Sequence, residues 1–137
     1  MEPIDNDRVV LLSHDEFLLR INKIRAAMAT VGIKAVLLSD NANIYYVTGR
    51  VFDGLVYIPA AGETIFFIRR PVVLKGDGVV FIRKPEDMAQ TIGLNVPENI
   101  GMELDLTDYS KIMRLKAIFP ESELKNASPV MRMSRAV

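Results

Sequence analysis

A short apolar run bounded by helix signals constrains the fold of this chain most strongly. Residues 34–39 read Lys-Ala-Val-Leu-Leu-Ser, without the alternation of a strand that has one wet face. Such a run is typical of a strand buried under helices on both faces of a parallel or mixed sheet. Gly32 before it is a helix stop, and Asp40 after it is a helix cap. The sequence therefore predicts helix, buried strand and helix, which is an α/β layer arrangement.

The segment before this strand has the pattern of an amphipathic helix. Ser13 and Glu16 form a capping-box pattern, and apolar residues then recur near helical spacing up to Gly32. We expect this first helix over residues 14–31. The second helix is expected over residues 41–47, and Gly49 closes it.

The rest of the chain alternates between strand and helix patterns. Strands over 55–58 and 64–68 are separated by a Gly-containing turn, which predicts a β-hairpin and therefore a mixed sheet. Further strands are expected at 78–82, 99–103 and 123–125, and further helices at 85–92, from Thr107 or Asp108 to 119, and from 128 onward. We predict one α/β domain over residues 1–137, with three layers in which helices flank a mixed β-sheet.

Composition excludes several classes of function. The 137 residues carry 17 basic and 17 acidic side chains, so no net field attracts nucleic acid. The absence of cysteine excludes a disulfide framework, a thiolate metal site and a cysteine nucleophile. No apolar stretch approaches the roughly 20 residues that span a bilayer, and the first residues are polar and acidic. We expect a cytoplasmic protein that binds neither nucleic acid nor membrane.

Few residues have the types and spacing that catalysis requires. His14 is the only histidine and begins the first predicted helix, where nothing nearby supplies the other members of a triad. The main carboxylate cluster is Glu103, Asp105 and Asp108, in which Glu103 and Asp105 are expected to share one face of a strand end. Oxygen ligands of this kind suit a divalent metal or acid–base chemistry. We favour the simpler interpretation of a polar loop with Asp108 as a helix cap.

A basic segment follows two of the predicted strands. It consists of Arg69, Arg70, Lys75, Arg83 and Lys84. One interpretation is a surface for an acidic partner. The other is a solvated sheet end, which the zero net charge of the chain favours.

Several stretches, in their order and spacing, resemble the N-terminal domain of the creatinase/prolidase/aminopeptidase P family. Residues 25–49 carry the first three motifs: Arg-x-x-Met in the helix, Gly-Ile-x-Ala in the strand, and Asn-Ile-x-Tyr before a Thr-Gly pair. Residues 100–103, Ile-Gly-Met-Glu, and residues 123–129, Glu-Leu-Lys-Asn-Ala-Ser-Pro, are similar to later family motifs. The resemblance covers most of the chain.

The resemblance implies a role within a larger enzyme. Members of this family have a mixed-sheet α/β domain followed by a pita-bread catalytic domain, here expected after residue 137. That second domain binds two divalent metals, manganese, cobalt or zinc, and cleaves Xaa-Pro bonds in proline-containing peptides. The chain itself is then expected to hold no cofactor or metal ligand. Its implied role is non-catalytic, in homodimer formation and substrate access beside its own C-terminal catalytic domain.

The resemblance also points to the loop after Gly49, since the family's corresponding loop reaches toward an active site, often that of the neighbouring subunit. The candidates here are Arg50, Phe52 and Asp53, with Arg50 at a position where phenylalanine is commoner in the family. Arg50 has the donors to bind a substrate carboxylate, and Phe52 has a ring suited to a proline pocket. An ordinary connection between helix and strand is the alternative.

Two other functions stay open at this point. Some relatives of this fold are non-catalytic, so the chain is alternatively a peptide- or protein-binding module of a peptidase-like protein. The weaker option is a free-standing metal-carboxylate enzyme built on Glu103, Asp105 and Asp108.

Overall fold

The computed structural model describes residues 6–93 and 95–136, and in this range it contains a six-stranded sheet with helices on both faces. In chain order the elements are α1 (His14–Val31), β1 (Ala35–Leu38), α2 (Asn41–Thr48), β2 (Asp53–Pro59), β3 (Ile65–Arg70), β4 (Val79–Phe81), a 3-10 turn (Pro85–Asp87), α3 (Met88–Ile92), β5 (Asn99–Met102), α4 (Tyr109–Ile118), β6 (Glu123–Asn126) and α5 (Ser128–Arg135). The predicted order of helices and strands is confirmed.

Strand β1 lies at the centre of the molecule, as its apolar run predicts. Its four residues are at most 1% exposed. Val36 and Leu38 pack into an apolar cluster that includes residues of α1, α2 and α5, whereas Ala35 and Leu37 belong to a second cluster with residues of α3 and α4. The two clusters lie on opposite faces because successive strand residues point to opposite sides. This arrangement confirms the predicted three-layer α/β fold.

The sheet is mixed, and its topology brings several chain segments to one edge. The strand order is β4-β3-β2-β1-β5-β6, and only the pairings of β2 with β1 and with β3 are antiparallel. Five strands therefore end at the same side of the sheet, where β2 begins. We call this side the carboxyl edge. In sheets of this kind the loops at the carboxyl ends of the strands are the usual place for binding sites.

The helix ends follow the sequence signals closely. The Ser13 side chain accepts a hydrogen bond from the backbone N–H of Glu16 at 3.2 Å, and Gly32 ends α1 in the left-handed region with φ 72°. The Asp40 side chain accepts from Ala42 N at 3.1 Å, and Gly49 ends α2 with φ 82°. Across the part of the chain that the structure describes, no helix has the combined length and hydropathy to cross a membrane.

One predicted helix is divided in two. Residues 85–92 form the 3-10 turn followed by the short α3, rather than one continuous helix. The Asp87 carboxylate accepts from the backbone N–H groups of Arg83 at 2.9 Å and Lys84 at 3.2 Å. An aspartate that bonds to the preceding backbone in this way favours a tight turn over a regular helix start.

Candidate functional site

Both sets of predicted site residues lie at the carboxyl edge. The loop at residues 50–54 leads into β2, which begins at this edge. Glu103 and Asp105 directly follow β5, and Asp108 caps α4. The topology therefore brings to one side of the sheet two segments that are fifty residues apart in the sequence.

Glu103 is buried and its carboxylate is fully engaged by donors. It is 1% exposed. One oxygen accepts from the backbone N–H of Ser39 at 2.7 Å, and the other accepts from the backbone N–H of Asp40 at 3.1 Å and from the Asn43 side-chain amide at 2.8 Å. These donors lie at the N-terminus of α2, where backbone N–H groups lack partners within the helix and the helix dipole favours a negative charge.

The contacts of Glu103 extend to the last helix. Asn43, which donates to Glu103, accepts from the Arg135 guanidinium at 3.0 Å through its side-chain oxygen. The backbone carbonyl of Glu103 accepts from the Thr107 hydroxyl at 2.7 Å. Glu103 thus connects the end of β5 to the start of α2 and, through Asn43, to α5. We assign it a structural role.

The other two carboxylates of the cluster have separate partners. Asp105 accepts from the Asn126 amide at 3.1 Å and lies 3.6 Å from the Arg132 guanidinium. Asp108 accepts from the backbone N–H of Lys111 at 2.8 Å, as a helix cap does. Because β5 ends at Met102 and the chain then turns, Glu103 and Asp105 do not share a strand face. Within residues 6–93 and 95–136, no three Asp, Glu or His side chains are grouped as metal ligands.

Arg50 connects the loop to the N-terminal segment. Its guanidinium donates to the backbone carbonyls of Asn6 at 2.5 Å and Arg8 at 3.1 Å. Its own backbone N–H donates to the Thr48 hydroxyl at 3.1 Å. The Arg50 Nε is buried without a hydrogen-bond partner in the described structure. These contacts hold the guanidinium against the protein, so it positions the loop rather than extending into solvent.

Phe52 and Asp53 point in opposite directions. Phe52 is 6% exposed and belongs to the same apolar cluster as Val9 and Leu74. Asp53 is exposed, and its carboxylate lies 3.2 Å from the Arg70 guanidinium. Val51, which sequence reasoning did not select, is 49% exposed. The sequence signal for this exposure is the alternation of an extended chain, in which successive side chains point to opposite sides. If Phe52 is buried, its neighbours Val51 and Asp53 point outward.

An exposed bidentate ion pair lies between the 3-10 turn and α4. The Arg114 guanidinium donates to both carboxylate oxygens of Glu86, at 2.7 Å and 2.6 Å. These hydrogen bonds are the largest cause that holds the pKa of Glu86 at about 2, well below its usual 4.5. The same bonds raise the pKa of Arg114. Backbone N–H groups of Arg83 and Lys84 lower the pKa of Asp87.

Comparison with known proteins places these features in a family. The family model described as Creatinase/Prolidase N-terminal domain matches residues 20–137. Among curated proteins, no sequence gives a significant match.

Solved structures share the fold. Aminopeptidase P from Streptococcus thermophilus superposes with a TM-score of 0.74 at 21% identity, covering 87% of this chain and 98% of that one. The N-terminal domain of cytoplasmic peptidase PepQ from Mycobacterium tuberculosis H37Rv gives 0.71 at 22% identity, with 85% and 98% covered. The Xaa-Pro dipeptidase from Bacillus anthracis gives 0.72 at 18% identity, and the match covers 88% of this chain but 36% of that one.

The contacts of Glu103 predict that its charge stabilises the fold. Glu103→Gln keeps the shape but presents an amide NH2 where a donor already points. We expect the free energy of unfolding to fall by roughly 2–3 kcal/mol, measured by urea denaturation. The matched control is Asp105→Asn, an exposed carboxylate two residues away, for which we expect a loss below about 1 kcal/mol. Equal losses in the two variants contradict the assignment.

The Glu86–Arg114 pair predicts a specific pH dependence. Because folding lowers the pKa of Glu86, the pair stabilises the fold above pH 4.5, and this contribution is lost as the pH falls through about 2. We expect the side-chain carboxyl carbon of Glu86 to titrate in NMR with a midpoint near 2. Arg114→Gln should move that midpoint toward 4.5, whereas Lys116→Gln on the same helix should leave it unchanged.

Proposed function

We propose, because the chain belongs to the creatinase/prolidase N-terminal domain family, that it is the non-catalytic N-terminal domain of a Xaa-Pro peptidase. The parent enzyme is a dipeptidase or an aminopeptidase P. The observation that carries this proposal is the family match over residues 20–137, which includes the whole sheet and the carboxyl edge. The shared fold of the solved Xaa-Pro peptidases supports it.

The residues that the structure describes do not form a group that fits the metal pair that the family implies. Glu103 accepts hydrogen bonds from donors at the start of α2. Asp105 accepts from Asn126, and Asp108 accepts from the backbone of α4. His14, at the first position of α1, is exposed. Among the described residues it does not belong to a group of Asp, Glu or His side chains that could bind a metal. In our proposal the two divalent metals, manganese, cobalt or zinc, are bound by a catalytic domain that follows residue 137 in the parent protein.

The proposed contribution of this chain is to substrate access and to homodimer formation. At the carboxyl edge, Val51 is exposed, and the exposed Asp53 two residues later lies beside the guanidinium groups of Arg69 and Arg70. An exposed apolar residue next to fixed charges suits a surface that meets a peptide or a second subunit. We also propose a cytoplasmic parent enzyme, in line with the PepQ peptidase whose N-terminal domain has this fold.

A binding module is the second candidate. The same carboxyl edge supports this candidate, because a surface that guides a substrate is also suited to bind a peptide without cleaving it. The sequence downstream of residue 137 separates the two. A full set of metal ligands there supports the peptidase, and their absence supports the binding module.

The peptidase proposal predicts a division of activity. The isolated chain should fold cooperatively and hydrolyse no Xaa-Pro dipeptide with manganese present. The reason is that no group of metal-ligating side chains occurs among the residues that the structure describes. The parent polypeptide should hydrolyse it under the same conditions. Proline release by the isolated chain above a manganese-only blank contradicts a non-catalytic role. An inactive parent that carries all metal ligands contradicts the peptidase assignment.

The loop contacts predict a positioning role for Arg50 in the parent enzyme. Removing the guanidinium in Arg50→Ala frees the N-terminal segment and the loop at 50–54, so we expect KM for a Xaa-Pro substrate to rise about tenfold with little change in kcat. Arg50→Lys keeps a donor and should restore part of the loss. If KM is unchanged while the melting temperature falls, the loop has only a structural role.

A further inference from the structure

The basic residues that follow β3 and β4 converge in space. β3 and β4 are adjacent and parallel, so Arg69 and Arg70 at the end of one strand lie beside Arg83 and Lys84 after the other. Lys75 is separated from them, because its backbone pairs with the N-terminal segment through Asp7 and Val9. The basic segment that the sequence presents as one run is therefore one cluster of four cations at the carboxyl edge and one lysine elsewhere.

Helix α4 adds further cations across a cleft. Lys111 and Arg114 face the start of β2, the end of β3 and the segment after β4 across a cavity of about 410 Å³. A volume of this size suits a few side chains of a bound ligand. The charged residues that line the cleft comprise five cations and two carboxylates: Arg69, Arg83, Lys84, Lys111 and Arg114, with Asp53 and Asp108.

The positive charge of this cleft is only partly neutralised. Asp108 is used as the cap of α4, and Asp53 lies between two arginines. Arg114 pairs with Glu86. The side chains of Arg83 and Lys111 make no ion pair or hydrogen bond with the residues that the structure describes. Two cations from different elements, the exposed Arg83 and the half-buried Lys111, thus line the same cleft without an ion pair among the described residues.

The arrangement favours carboxylate side chains on a peptide over a compact anion. Phosphate sites are commonly built from free backbone N–H groups, but those of Arg83, Lys84 and Lys111 already bond to aspartates. An apolar surface continues from the cleft, where Phe81 is 48% and Val72 71% exposed beside Arg83. Separated cations next to apolar side chains match a chain that presents both acidic and apolar groups.

We propose that this cleft binds the acidic side chains of a peptide. Resting on the proposed function, the inference names the substrate class of the parent enzyme as Xaa-Pro peptides that carry Asp or Glu. The binding itself belongs to this chain and is testable without any catalysis.

The test uses two peptides that differ only in charge. Ala-Pro-Glu-Glu and Ala-Pro-Gln-Gln, both with amidated C-termini, are titrated into the ¹⁵N-labelled chain and followed by NMR. We expect the acidic peptide to shift amides around Arg83 and Lys111, with at least fivefold weaker binding of the Gln peptide. Raising NaCl from 50 to 300 mM should weaken binding of the acidic peptide severalfold, because salt screens the charges.

Variants locate the binding surface. Arg83→Gln and Lys111→Gln should each lower the affinity for the acidic peptide about two- to fivefold, which is the range for the loss of one surface ion pair. The control is Lys116→Gln, which removes the same charge from α4 outside the cleft and should have no effect. Thermal unfolding followed by circular dichroism checks that all variants fold.

Three results overturn the inference: equal binding of the two peptides, an equal loss in Lys116→Gln, or inorganic phosphate shifting the same amides as strongly at equal concentration. The last result identifies a general anion site. None of them touches the proposed function, which depends on hydrolysis by the parent polypeptide. Conversely, an inactive parent leaves binding of the acidic peptide to this chain intact.

Discussion

The carboxylate of Glu103 organises the carboxyl edge of this domain. A buried charge costs several kcal/mol in desolvation unless its oxygens are satisfied. Here the charge is met by backbone N–H groups at the start of α2 and by the Asn43 amide. Those N–H groups themselves need an acceptor, because the first turn of a helix leaves them unpaired. The two requirements are met together, and this fixes the end of β5 against the junction of β1 and α2.

This structural use of Glu103 determines where function is available. The Glu103 carboxylate accepts hydrogen bonds from the protein on both oxygens, so it acts within the fold as an acceptor that joins β5 to α2. The exposed charged side chains of this edge lie farther along the sheet, around β2, β3 and β4. There Asp53 pairs with arginines, while Arg83 and Lys111 line the cleft without an ion pair to any residue that the structure describes. In the proposal made above, structural hydrogen bonding and peptide recognition therefore belong to different residues of one sheet edge.

The sequence predicts the layers better than the site, for a physical reason. Local signals such as the apolar run at 35–38, the Ser13 cap and the glycines at 32 and 49 act within a few residues, and the structure confirms them. The role of Glu103 depends on donors some sixty residues away. The cleft likewise joins Arg83 to Lys111 only because the topology places α4 beside the 3-10 turn that follows β4. The burial of Phe52 is set by neighbours distant in sequence, and Val51 is exposed as a consequence.

The last helix extends the influence of Glu103 beyond the sheet. α5 packs against α1, its Arg135 donates to Asn43, and its Ser134 carbonyl accepts from the Tyr46 hydroxyl. Both contacts end on α2, whose N-terminus binds Glu103. α5 is therefore hydrogen-bonded to the helix that binds Glu103, so one continuous set of hydrogen bonds runs from α5 through α2 to the end of β5. In the proposed parent enzyme α5 precedes the catalytic domain. This network then connects the position of that domain to the carboxyl edge, on which both the loop at 50–54 and the basic cleft lie.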